Sequence, residues 1–172
     1  MIKLCGSASS IFAVAARLLR PPTRTRAWGE TLIALVLMGI LAFSLGPAGG
    51  AVTFSDGGLS MPVWREFLLI ALIALFIPAL FEELIFRAGL PALLGGGGRG
   101  DAIALALFIA WHPLQVLLGL PMAQPVFLDP AFLLLVAVLG LCCSLLYRRS
   151  ASLLPAVILH WVLVIGWKAF SA

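Results

Sequence analysis

The run Phe81-Glu82-Glu83-Leu84-Ile85-Phe86-Arg87 sets three charges inside an apolar stretch long enough to cross a bilayer. A charged side chain at the bilayer centre costs at least about 2.5–3.5 kcal/mol, and such groups face the interior of a helix bundle rather than lipid. His112 and His160, the chain's two histidines, also fall inside apolar segments. Helices satisfy their own backbone polar groups in lipid, so the fold expected is a bundle that turns these side chains toward one another. Two carboxylates, an arginine and two imidazoles at membrane depth read as an active site.

The chain of 172 residues is 63% hydrophobic and 10% charged, against roughly 25% charged residues in a soluble domain. It is therefore read as an integral membrane protein, an all-α polytopic bundle of about five spans. Lys3, Arg17, Arg20, Arg24 and Arg26 crowd the N-terminus. No basic stripe with interleaved aromatics follows, so this charge signals cytoplasmic anchoring and not nucleic acid. Ile11, Phe12, Val14, Ala15, Leu18 and Leu19 share one helical face, with Arg17 and Arg20 off it. Residues 1–27 are thus expected to form a basic segment with a surface-lying amphipathic helix, and residues 28–172 the transmembrane domain. Arg17 and Arg20 also argue against a signal peptide. Cys5, Cys142 and Cys143 lack metal-type spacing and are read as small packing residues.

Five spans are expected at about Thr31–Leu45, Met61–Leu94, Ala102–Leu118, Pro130–Tyr147 and Ser152–Phe170. Gly-Pro and Gly-Gly close the first. Pro78 should kink the second, and Pro113 is a candidate kink in the third. The loop 95–101 is read as a flexible connector, with Asp101 capping the third helix. Lys and Arg fall in alternate connections, placing the N-terminus in the cytoplasm and the C-terminus outside. Lys168 is the exception and is expected to snorkel. At about 1.5 Å per residue, Glu82, His112 and His160 all lie roughly 12–18 Å in from the same face. A shared level near the midplane predicts that they face one cavity.

Adjacent Glu82 and Glu83 point about 100° apart on a helix. Glu83 precedes Arg87 by four residues, the favourable order for an ion pair. Such a pairing keeps both charges in a low dielectric, which leaves Glu82 free to act as a base. Phe108 lies one turn before His112 and should stack beside it. His112 is positioned to hold a water together with Glu82. His160 would donate a hydrogen bond to a developing oxyanion. The set points to amide hydrolysis by an activated water.

These residues resemble the motifs of the CPBP (abi) intramembrane proteases, which include the type II CAAX prenyl endopeptidases. EExxxR matches Glu82, Glu83 and Arg87; FxxxH matches Phe108 and His112; and the histidine of the third motif matches His160 within PAVILH. The resemblance covers about Arg65 to Phe170. It implies a glutamic-type endopeptidase with Glu82, His112 and His160 catalytic, Glu83, Arg87 and Phe108 supporting, and neither metal nor cofactor. The third motif usually carries Asn or Asp four residues after its histidine, and here Val164 stands there. Gln115, one turn after His112, is the first candidate to replace that oxyanion donor; the indoles of Trp111 and Trp161 are others. The chain is also shorter than the eight-span members of the family.

A zinc metalloprotease is a second reading, because Glu with two His is a common zinc set. Against it, no HExxH is present and the histidines sit on separate helices. A non-catalytic immunity or scaffold protein is a third, kept open by Val164. Transport is the weakest, since five short spans give little room for alternating access. The expected setting is a bacterial inner membrane, and the expected partners are membrane lipids and a peptide or membrane-protein substrate.

Overall fold

The computed structural model describes residues 19–23, 25–49 and 64–170. These residues form a helical bundle, with no strand among them. Helix α1 is Arg26–Gly49. Helix α2 covers 64–93 in several segments. Helix α3 is Gly97–Leu117, α4 is Pro130–Ser150, and α5 is Leu154–Phe170. Among the described residues four stretches are long and apolar enough to span a bilayer: Arg26–Leu45, Glu66–Leu93, Gly97–Leu117 and Pro130–Ser150. The fifth helix is apolar but shorter, at 17 residues. Large apolar side chains such as Leu32, Leu37, Leu69 and Leu117 are exposed, as lipid-facing positions are. The protein is a polytopic helical membrane protein.

Several boundaries differ from those expected. The α1 helix starts earlier, where Arg26 Nε donates to Glu30 Oε1 at 2.8 Å across one exposed turn. It also continues through Gly46 and Pro47 to Gly49; a proline in a last turn removes only one backbone hydrogen bond. Most of the glycine-rich connector is helical. Gly95, Gly96 and Gly97 take positive φ to make the turn, a conformation that costs glycine nothing, and α3 begins at Gly97. Asp101 is therefore inside the helix and not its cap. Its carboxylate instead pairs with Arg148 at 2.8 Å. Pro113 sits within α3 without ending it. Asp129 caps α4, accepting from Ala131 N at 2.7 Å and Phe132 N at 3.4 Å. The amphipathic helix expected near Ile11 lies outside the described residues except for Leu19, which with Arg20 forms a turn. The expected outer loop after α1 also lies largely outside them.

Helix α4 is central, packing on α1, α3 and α5. Ala34 and Met38 of α1, Leu139, Cys143 and Leu146 of α4, and Ala156 and Leu159 of α5 form one core. Cys142 and Cys143 are unpaired thiols; buried Cys143 reaches the Ala156 carbonyl at 3.6 Å. A second core joins Ala79 of α2 to Leu153, just before α5, and to Val157 within it. There the Trp161 indole donates to the Ala71 carbonyl at 2.7 Å. That N–H is committed to holding α5 against α2, so Trp161 is not the oxyanion donor considered above. A third core sets Phe86, Phe108 and Val136 together from α2, α3 and α4.

Polar contacts gather one end of the bundle. Arg148 meets Asp101, Arg149 lies 3.5 Å from Glu30, and the Ser152 hydroxyl donates to the Arg20 carbonyl at 2.6 Å. Asp129 lies at the opposite end of α4. Single cysteines at Arg99 and Asp129, in a protein whose three native cysteines are replaced, should react with an impermeant maleimide from opposite sides of a sealed membrane. Labelling of both from one side would break this arrangement of α3 and α4.

Candidate active site

The site begins with a break in α2. Pro78 has no N–H to continue the ladder, and Ile77 takes extended angles (φ −132°, ψ 111°). Wide π-type turns over Leu75–Leu80 and Leu84–Gly89 flank the short α-helical piece Phe81–Glu83. Such turns are uncommon and concentrate at functional sites. They carry the charged run in the middle of the helix. Glu82, Glu83 and Arg87 are all buried, with relative exposures of 7%, 0% and 3%, so each charge faces protein.

Glu83 is the junction. Its Oε1 lies 2.9 Å from His160 Nδ1 on α5. Its Oε2 lies 3.1 Å from Arg87 Nε, one turn along its own helix. This second contact is an ion pair without hydrogen-bond alignment. The Arg87 guanidinium carbon stands 4.4 Å above the centre of the Phe108 ring, within cation–π range. Phe108, fully buried, is edge-on to His112 with ring centres 5.2 Å apart and to His160 at 6.1 Å. Phe108 lies beside His112 as expected, but edge-on with the rings 82° apart rather than stacked, and the ring also serves Arg87. Gly140 on α4 makes room for it: a Cβ there would lie 2.9 Å from Phe108 Cδ1 and 2.6 Å from Leu105 Cδ1.

Glu82 faces the other way. Its Oε1 accepts from the Trp111 indole N–H at 3.2 Å. Its Oε2 lies 3.9 Å from His160 Nε2 and has no hydrogen-bond partner among the described residues. His112 Nδ1 is 3.0 Å from the Phe108 carbonyl oxygen. A carbonyl oxygen or an ionised carboxylate only accepts, so each histidine carries a hydrogen on Nδ1. The neutral His112 ring therefore offers a lone pair at Nε2. For His160 the same rule leaves Nε2 a donor only when the ring is doubly protonated.

A cavity of about 1200 Å³ opens against this group. Glu82, Trp111, His112, Gln115 and His160 line it, amid mostly apolar walls. Glu83, Arg87 and Phe108 stand behind that surface as support. Of the seven residues singled out in the sequence, the structure thus brings all into one cluster, four on the cavity and three behind it. Val164 also lines the cavity, without a polar group, and Lys168 lies at the wall with Nζ 5.6 Å from the centre of the Trp167 ring. Sequence reasoning missed the Trp111 bond to Glu82, which joins residues 29 positions apart. It also missed Gly140, one small residue among many in an apolar helix. Among the described residues no three His, Cys, Asp or Glu side chains gather as a metal-binding group.

Together these elements make a helical membrane bundle that encloses a carboxylate–histidine group beside an apolar cavity. A family model, type II CAAX prenyl endopeptidase Rce1-like, matches residues 64–165, and the chain belongs to that family. The matched stretch contains every residue of the cluster and leaves α1 outside. No match is found among curated proteins or among solved structures.

Removing one partner of a buried charge pair typically costs about 3–5 kcal/mol because the other charge is stranded. Glu83→Gln should therefore lower the thermal midpoint in detergent substantially, leaving Arg87 without its counter-charge. An unchanged midpoint would show that Glu83 does not hold the bundle together.

Proposed function

We propose that the protein is an intramembrane endopeptidase of glutamic type. Glu82 and His112 hold and activate a water, and His160 stabilises the oxyanion formed when that water attacks a peptide carbonyl. The observation that carries this reading is Glu82 Oε2: a buried carboxylate oxygen without a hydrogen-bond partner among the described residues, on a cavity shared with both histidines. In the proposed reaction Oε2 takes a proton from the water as its oxygen bonds to the carbonyl carbon. The same proton is delivered to the leaving amine as the C–N bond breaks. His112 Nε2, a lone pair by its bond to Phe108, accepts a hydrogen bond from the water's other O–H, whose hydrogen stays with the new carboxyl group. His160 donates from Nε2 as the imidazolium, with carboxylates on both sides to balance its charge.

The family's name points to prenylated CAAX substrates, and the apolar cavity walls suit a lipid-embedded segment. The N-terminal end of α1 is taken as cytoplasmic, in line with the basic residues there. No step of this mechanism uses a metal. A quenched-fluorescent farnesylated CAAX peptide, offered to purified protein in detergent, tests the reading. Wild type should cleave it and should keep its rate after exhaustive chelation. Glu82→Gln, nearly isosteric, should abolish cleavage with the protein still folded. Cleavage by Glu82→Gln at a rate near wild type would overturn the role of Glu82. Loss on chelation with recovery only on adding zinc would transfer the chemistry to a metal.

Val164 leaves the oxyanion short of a donor beside His160. Gln115 supports the part best: its side chain lines the same cavity from α3, one turn beyond His112. Losing one such donor typically lowers kcat by about 10²–10³. Gln115→Leu should show a loss of that order with KM little changed, and Val164→Asn in that background should restore part of it. A wild-type rate in Gln115→Leu would make the residue structural.

A further inference from the structure

Trp111 is the one polar contact to Glu82 that no motif of the sequence announces. Its Nε1 lies 3.2 Å from Glu82 Oε1, bridging α3 to α2. The indole carries a single donor and no acceptor, so it engages one carboxylate oxygen and leaves the other. That other oxygen, Oε2, is the one turned toward His160 Nε2 at 3.9 Å. Building on the proposed function, we infer that Trp111 is a positioning residue for Glu82: its N–H holds Oε1 and thereby selects Oε2 as the oxygen that takes the proton from water.

Two features support the role. A glutamate carboxylate turns about three side-chain torsions, and placing a reacting atom within reach of its target is where much catalytic advantage is made or lost. Among the described residues Glu82 receives no other hydrogen bond, its Oε2 meeting only His160 Nε2 at 3.9 Å, whereas Glu83 has a hydrogen bond at one oxygen and a 3.1 Å ion pair at the other. The other feature is connectivity. Trp111 immediately precedes His112, whose own Nδ1 is tied to the Phe108 carbonyl. One turn of α3 therefore sets both the carboxylate and the imidazole that would hold the water, so their spacing is fixed by a rigid element. Trp111 also packs against the core formed by Phe86, Phe108 and Val136, and a purely packing role is the alternative to be separated.

Two variants separate them. Trp111→Phe deletes the donor and some volume. Replacement of Trp111 by benzothienylalanine, introduced by nonsense suppression, deletes the N–H and keeps the shape, so packing and folding are preserved. With the farnesylated CAAX peptide, both should lower kcat and kcat/KM together, leaving KM unchanged. The expected loss is between about ten-fold and a hundred-fold, the range carried by one hydrogen bond to a charged group. The thermal midpoint of the benzothienyl protein should equal that of wild type. In ¹⁵N–¹H spectra of the micellar protein, the indole resonance lost in Trp111→Phe should move in Glu82→Ala. Wild-type kcat in the benzothienyl protein, or an indole resonance indifferent to Glu82, would overturn the assignment. Should Glu82→Gln itself cleave normally, the proposed function would fail first; a silent Glu82→Gln beside a fully active benzothienyl variant would remove only the role of Trp111.

Discussion

Glu83 is the charge on which the rest of the arrangement depends. A carboxylate with no exposure at membrane depth persists only with partners that offset its desolvation. It has two, and they come from different directions. Arg87 lies one turn along α2, and His160 reaches in from α5. The contact with His160 thus fixes how α2 and α5 meet, beside the apolar contacts of Ala79 with Leu153 and Val157. Arg87 in turn rests on Phe108 of α3, whose place depends on the missing side chain of Gly140 on α4. Four helices are brought to one point by a carboxylate, a guanidinium, an imidazole, a benzene ring and a glycine.

This layer behind the cavity also determines what the cavity surface offers. Glu83 takes the Nδ1 hydrogen of His160, and the Phe108 carbonyl takes that of His112. Each histidine turns Nε2 outward as a result, and the two rings are not equivalent there. One is oriented by a neutral carbonyl and the other by a carboxylate with a second carboxylate nearby. The division of labour in the proposed reaction, water acceptor at His112 and oxyanion donor at His160, follows from that difference in partners.

The fold and the cluster were legible in the sequence to the extent that they rest on cost and spacing. Charge is so costly in lipid that Glu82, Glu83, Arg87, His112 and His160 had to face inward. Helical rise then placed them at one level, and the i,i+4 order of Glu83 and Arg87 named the pair. Less legible was anything decided by contact between distant elements. Asp101 reads as a helix cap from its neighbours, yet three successive glycines with positive φ start α3 before it and send its carboxylate to Arg148. Trp111 and Trp161 read alike in sequence, and packing gives one to Glu82 and the other to a backbone carbonyl. The link between Glu83 and His160 spans 77 positions, beyond any local pattern.

Val164 gives the last step its interest. With an apolar side chain one turn after His160, the wall beside the expected oxyanion lacks the amide or acid seen in related motifs. Hydrogen bonds from charged donors are roughly twice as strong as neutral ones. A doubly protonated His160, set between Glu82 and Glu83, is such a donor, and the surrounding apolar wall strengthens its field by excluding water. The proposed site therefore replaces a second neutral donor with charge at the first, and Gln115 adds a dipole from the opposite helix. On this view Val164 is compatible with catalysis: what the position lacks in hydrogen bonding, His160 and Gln115 would supply from the walls of the same cavity.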